Sequence, residues 1–340
     1  TNGYKNFFLK NIAKSQITVD GFSIIATVKR FFSRINLSIF SHVDKKDFDY
    51  VLIHGYQTFT CWLIMIAARM QGMKIIFRGE SILRKNKFNL HRIFTRLPIK
   101  YFLKHSNAVM YSCSGNYQYW LSLNVNKEKL FSMPCAVDNK FFLKNKINLK
   151  SKRKSIREKF KIYKNDLVII FPSKFINRKR PFDLIEAVKL TKNKNIILLF
   201  VGDGPNRNEM EKKCSDYGLR SIFTGFINQG KISKYYLIAD IVAIISDYDA
   251  SPKSLNEALN FGLVPIVSDM VGTANDLVIE NYNGFITEVG NISDISEKIL
   301  TLFDKDLLKK YSKNSEALVK KWNLESNALG LQKTLKYLEG

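Results

Sequence analysis

The chain has 340 residues, of which 46% are hydrophobic, 13% aromatic and 25% charged, and 54 Lys and Arg against 30 Asp and Glu leave a net charge of +24. This is the composition of a folded chain long enough for two domains, and it excludes disordered and collagen-like classes. The charge is uneven: residues 1–150 hold 24 basic and 7 acidic residues, net +17, whereas residues 151–340 hold 30 and 23, net +7. Such an excess calls for an anionic partner, whether nucleic acid, an acidic membrane surface or a charged substrate. Four scattered cysteines with no CxxC pair argue against a disulfide framework or a zinc site and fit a reducing cytoplasm.

In chain order, the opening TNGYKNFFLK lacks the apolar core and cleavage site of a signal peptide. YKNFFLKN reads as a strand and GFSIIATVKRFFSRI (21–35) as a helix. The apolar run FDYVLIHG (48–55) precedes the helical TFTCWLIMIAARMQG; its core, Cys61 to Met70, is about half the length a membrane span needs. MKIIFRGES (73–81), a helical stretch to His105, NAVMYSCSG (107–115) and KLFSMPCAV (129–137) continue the alternation. A Lys-dense passage over 144–164 reads as a linker running into a short helix. The alternation restarts at DLVIIFPS (166–173), NIILLFVGDG (195–204), SIFTGF (221–226), DIVAIISDYD (240–249), LVPIVSD (263–269) and NGFITEV (283–289). Strands alternating with helices predict parallel sheets covered on both faces. The expected division is a first domain over 1–150, a linker over 151–164, a second domain over 165–320 and a C-terminal helix over 321–340 that returns to the first domain.

In such sheets, ligands sit beyond the carboxyl ends of the strands, where helix N-termini face anions. SKFINRKRP places Lys174, Arg178, Lys179 and Arg180 at one strand end, a cluster suited to a diphosphate or else a solvated basic turn. In VGDGP, Gly202 and Gly204 permit a tight turn near a ligand. SDYDASPKSLNE places Asp249 at a strand end and Glu257 eight residues on, within the next helix. That carboxylate can accept from vicinal sugar hydroxyls, and the N–H groups of Lys253, Ser254 and Leu255 can hold phosphate oxygens.

At these loops the chain resembles the retaining glycosyltransferases of family four. SKFINRKRP is similar to the family's phosphate segment, Gly-Arg-Leu-x-x-x-Lys-Gly, with Lys174 and Lys179 at its cationic positions. VGDGP and TGFINQGKISKYYLIADI follow in order, and Asp249 to Glu257 falls on the Glu-x7-Glu signature with Asp in place of the first Glu. NEALNFGLVPIVSD and NGF (283–285) continue the match, which covers most of 165–320.

The resemblance implies a GT-B fold: two Rossmann-like domains whose parallel sheets face a cleft, the first apparently lacking its opening strand, loop and helix. It implies a nucleotide-sugar donor, expected to be a UDP-sugar, with retention of configuration. Lys174, Lys179, Lys253 and Ser254 would hold the diphosphate, Glu257 the ribose, and Gly225, Phe226 and Ile227 the base. Asp249 would grip the donor sugar. Glu80 takes the place of a cleft His beside the reacting sugar, and His54, Arg78 and Arg178 are further cleft candidates. Asp247-Tyr248-Asp249 formally matches an Asp-x-Asp metal motif, but the lysines already supply phosphate neutralisation, so neither a metal nor another cofactor is expected.

Residues 82–105, ILRKNKFNLHRIFTRLPIKYFLKH, hold seven Lys and Arg, no acid, and interleaved apolar residues. This pattern suits an anionic membrane surface, with peripheral attachment to the inner face of the cell membrane and a glycan or lipid-linked acceptor there. The competing classes are a basic nucleic-acid-binding protein, for which no recognition motif is present, and a non-catalytic glycosyltransferase-like subunit.

Overall fold

The computed structural model describes residues 18–19, 22–23, 31–32, 35–83 and 90–340, with side chains in the last stretch from residue 97. Thr18–Val19 (β1) pairs antiparallel with Phe22–Ser23 (β2), so the start of the helix expected over 21–35 is extended; Phe31 and Phe32 are helical. The strand expected in YKNFFLKN lies outside the described residues.

The first sheet has the order β3 (Tyr50–His54), β4 (Lys74–Gly79), β5 (Ala108–Tyr111) and β6 (Leu130–Ser132), all parallel. Its crossovers are α1 (Phe59–Met70), α2 (Leu90–His105) and α3 (Ser114–Ser122). Ile75, Phe77, Val109, Trp120 and Phe102 fill the core between sheet and helices. Gly79 is required by that core, because a Cβ there would lie 2.9 Å from the Trp120 ring.

The second domain opens with α4 (Asn139–Leu149) and α5 (Arg153–Lys159). Its strands are β7 (Leu167–Phe171), β8 (Ile196–Phe200), β9 (Arg220–Phe223), β10 (Ile241–Ile244), β11 (Val264–Ser268) and β12 (Phe285–Thr287). They form one parallel sheet in the order β12-β11-β10-β7-β8-β9, the doubly wound arrangement with its switch point between β7 and β10. LVIIF, IILLF, IVAI and VPIVS are buried at every position, as strands covered by helices on both faces must be. The covering helices are α6 (Pro181–Thr191), α7 (Arg207–Asp216), α8 (Gln229–Ile238), α9 (Lys253–Asn260), α10 (Ala274–Leu277), α11 (Ile292–Thr301) and α12 (Lys305–Val319).

One boundary differs from the expected division. Val137 and Phe142, ahead of the supposed linker, already belong to the second domain's core, and within the linker the buried Arg157 donates to the carbonyls of Ile238, Tyr163 and Asp166 and to Asp240. Lysine density misled because the helices bury few but well-placed groups. At the other end, α12 packs on the second domain and α13 (Leu324–Glu339) runs back to β6 of the first. Its Gly330 lies against β6, where a Cβ would meet the Ser132 carbonyl oxygen at 1.8 Å.

Candidate functional site

The loops that leave β7 and β10 meet at the switch point. After β7, a turn over Asn177–Lys179 delivers Arg180 in the left-handed conformation (φ 54°), and Pro181 starts α6. Three of the four cations in this loop are tied to the loop after β10. Arg180 Nη1 donates to Asp247 at 2.8 Å, Lys179 Nζ pairs with Asp249, and Arg178 donates to the Tyr248 carbonyl. The Asp247 N–H donates back to the Arg178 carbonyl at 2.9 Å. Lys174 and Arg178 are both exposed, but Arg178 is held by the Tyr248 carbonyl, whereas Lys174, among the described residues, makes no ion pair. The structure thus separates residues that sequence could only group: Lys174 is free to meet an anion, Lys179 is shared with Asp249, and Arg178 and Arg180 stitch the loops together. Both carboxylates of the Asp-x-Asp pattern are engaged by cations, and among the described residues no group of three or more His, Cys, Asp and Glu gathers.

Gly202 and Gly204 serve packing. A Cβ at Gly202 would stand 2.0 Å from the Ser173 carbonyl oxygen, and one at Gly204 would stand 2.5 Å from that of Phe175. The Gly202 N–H donates to the Gly225 carbonyl at 3.0 Å, and Gly225 takes φ +72°, which brings the neighbouring loop alongside. Phe226 projects at 80% exposure, whereas the Ile227 side chain packs against the domain core.

Helix α9 begins after Pro252 with no side-chain cap. The Leu255 N–H donates to the Pro252 carbonyl at 3.1 Å, which removes it from the expected trio of phosphate donors and leaves Lys253 and Ser254. Glu257 is buried one turn further on. It accepts from Gln229 Nε2 at 3.0 Å and from the Tyr236 hydroxyl at 2.9 Å. Neither partner stood out in the sequence, although their seven-residue spacing in QGKISKYY puts both on one face of α8.

On the opposite side, the register pairs His54 with Arg78 at the carboxyl ends of β3 and β4, and Glu80 follows β4. Arg78 Nη1 lies 3.3 Å from Glu80 Oε1 and 3.2 Å from His54 Nδ1, and Nη2 donates to the Met133 carbonyl at 3.3 Å. His54 Nε2 is 4.0 Å from Glu80. Burial, then the Arg78 charge, holds the His54 imidazole below its usual pKa, against the opposing pull of Glu80. The three candidates therefore form one cluster. Burial, then the Glu80 charge, raises the Cys135 thiol, against the opposing pull of Lys253 and Arg78.

The domains touch along one line. The Ile82 N–H donates to the Tyr248 hydroxyl at 3.3 Å, and the hydroxyls of Ser112 and Ser251 lie 3.0 Å apart. The Ser114 N–H and hydroxyl both donate to Asp276 at 2.9 Å, and the Gly115 N–H donates to the Gly272 carbonyl at 3.1 Å. Tyr248 and Asp276 were not singled out in sequence, because Ile82 and Ser114, which donate to them, lie in the other domain.

Residues 152–318 match the family described as glycosyl transferases group 1. The second domain is thus similar to the members of that family. A galactosyltransferase of Escherichia coli, named UDP-Gal:alpha-D-GlcNAc-diphosphoundecaprenol alpha-1,3-galactosyltransferase, is 25% identical over 296 residues, covering 82% of this chain and 72% of that protein. Three other curated relatives are matched over less than half of their own length. Among solved structures, Anabaena Alr3699/HepE in complex with UDP superposes with a TM-score of 0.73 at 18% identity, covering 87% of this chain and 81% of the other. A glycosyltransferase of Rickettsia africae superposes with a TM-score of 0.74 at 19% identity, over 95% and 84% of the two chains. The architecture is GT-B, as the sequence implied.

Proposed function

We propose that the chain transfers a sugar from a UDP-sugar to a hydroxyl of a lipid-linked or polysaccharide acceptor with retention of configuration. The observation that carries this reading is the switch-point site: an unpaired Lys174, the Lys179–Asp249 pair, the open N–H groups of Lys253 and Ser254, and a buried Glu257. Lys174 and Lys179 neutralise the diphosphate, so that its arrival draws Lys179 from Asp249 and releases that carboxylate toward the donor sugar. The first N–H groups of α9 hold phosphate oxygens, Glu257 accepts from the ribose hydroxyls, and the projecting Phe226 meets the base, with Gly225 giving it room. The bond from the sugar carbon to the diphosphate breaks as the acceptor oxygen bonds to the same face of that carbon. The acceptor proton passes to the leaving diphosphate, whose charge the two lysines and the helix terminus stabilise. Glu80, braced by Arg78 and His54, orients the reacting hydroxyls. The cations do the work that a metal does elsewhere, so transfer proceeds in EDTA.

The names of the relatives support the donor and acceptor classes: one uses UDP-Gal on a diphosphoundecaprenol substrate, and one was solved with UDP. Peripheral attachment to an anionic membrane face in the cytoplasm fits the exposed Ile66, Met70, Leu97 and Tyr101 beside Arg69, Lys100 and Lys104. The side chains of residues 84–96, central to the basic stretch 82–105, lie outside the described residues. Among the described residues, no helix is long and apolar enough to cross a membrane.

The test is calorimetric titration with UDP and GDP, followed by transfer assays with UDP-sugars. UDP binding that Lys174→Ala weakens about tenfold, by loss of a charge-assisted contact, is the expected result. Binding of RNA but of no nucleotide would sink the reading. Nucleotide binding without turnover of any donor would favour the non-catalytic subunit, and the anomeric signal of the product decides retention.

A further inference from the structure

We propose that Gln229 and Tyr236 are positioning residues that fix which lone pairs Glu257 offers to a ribose, and thereby set the preference for ribonucleotides over 2′-deoxyribonucleotides. This rests on the reading of Glu257 as the ribose-binding carboxylate. The two side chains stand seven residues apart on α8, two helical turns, and so rise from one face toward the same group on α9. Each takes a different oxygen: the Gln229 amide donates to Oε1 at 3.0 Å and the Tyr236 hydroxyl to Oε2 at 2.9 Å. A carboxylate has about four acceptor directions. With one used on each oxygen, one remains on each, which matches the two O–H groups of a vicinal diol. Removing either donor lets the carboxyl turn and breaks the match.

The burial gradient gives the pair different tasks. Tyr236 is wholly buried, and its hydroxyl lies inside the domain core with Glu257 as its acceptor. Gln229 is exposed and opens α8, two residues after Ile227. It therefore joins the loop that carries Phe226 to the group that reads the sugar, so a shift at the base is transmitted to the ribose carboxylate. The inert alternative is that Glu257 merely satisfies a buried phenol. That accounts for Tyr236 but leaves an exposed amide aimed at the same carboxylate without a purpose.

The experiment titrates UDP and 2′-deoxy-UDP into the full chain, wild type and as Tyr236→Phe, Gln229→Leu, the double variant and Glu257→Gln. The wild type is expected to favour UDP by about tenfold, and each single variant to cut that ratio roughly threefold, because UDP loses more than 2′-deoxy-UDP, which makes only one hydroxyl contact to Glu257. The double variant should approach Glu257→Gln, because all three changes act on one contact. A wild-type ratio in both single variants, with Glu257→Gln alone losing it, overturns the proposal and spares the ribose reading. An unchanged ratio in Glu257→Gln overturns both. Should Tyr236→Phe fail to fold, Gln229→Leu at the exposed helix start decides the matter by itself, since a purely structural role would move the melting temperature and not the ratio.

Discussion

Glu257 shows how one carboxylate can serve a fold and a ligand with opposite pH signs. Burial lifts its pKa above the ordinary 4.5, opposed by Tyr236, Gln229 and Lys253. A carboxyl raised on folding holds its proton more tightly in the native state, so its ionisation works against the fold as pH rises through the raised value. Ribose hydroxyls donate to the ionised form, so affinity gains over that same window. UDP affinity should therefore fall as pH drops through the range above 4.5, with a limb that Glu257→Gln lacks. Titration of both proteins between neutral and acidic pH checks this; parallel curves would show that the phosphate alone titrates. At the same scale, chemically alike cations differ in use. Lys174 is exposed, while Lys179 is held by Asp249 in the loop 70 residues on.

Among the elements, α5 is the one whose role depends most on a few residues. Arg153 Nη2 donates to Asp240 at 2.8 Å and Arg157 Nη1 at 3.3 Å, and the Val168 N–H donates to the same carboxylate at 2.9 Å. One acid next to β10 thus ties the stretch expected as a linker to the first strand of the sheet. Burial lowers the Arg153 pKa, and Asp240 opposes that only in part. Asp240→Ala leaves the buried Arg157 guanidinium without its countercharge, and should destabilise the second domain by about 3 kcal/mol. Urea unfolding checks this; a loss below about 1 kcal/mol would mean that the carbonyls around Arg157 suffice on their own. The return of α13 to the first domain rests similarly on one position, Gly330, where no side chain fits against β6.

For the whole molecule, the two decisive features are the line of interdomain contacts and the distribution of charge. The Gly115–Gly272 approach is backbone to backbone: a Cβ on Gly115 would lie 2.9 Å from Gly272, so the domains close to a fixed distance. Residues 1–150 carry net +17, and among the described residues Arg69, Lys100 and Lys104 lie on α1 and α2 with the exposed apolar Ile66, Met70, Leu97 and Tyr101; anionic lipid contributes about 1 kcal/mol per nearby cation. The protein should sediment with phosphatidylglycerol vesicles at low salt and be released as salt screens the charges, with Lys100→Glu and Lys104→Glu weakening the association several-fold. Equal sedimentation with neutral phosphatidylcholine vesicles, or none with either, would remove the membrane surface from the reading.

The sequence by itself determined the strand–helix alternation, the two sheets and the order of the donor-side loops, because apolar periodicity and the spacing of Asp249 and Glu257 are local properties of the chain. It also marked His54, Arg78 and Glu80, which flank two strand ends. The tertiary structure alone decided which groups stay available. Leu255 loses its N–H to Pro252 within a tight first turn, Ile227 turns into the core, and Gln229 and Tyr236 converge on Glu257 from another helix. The same holds for Arg178 and Arg180, whose partners lie near residue 247, and for Arg157, whose partner lies 83 residues away. Burial and ion pairing join residues distant in sequence, so residue type names the chemistry a loop can perform, and only packing settles which of its groups are free to perform it.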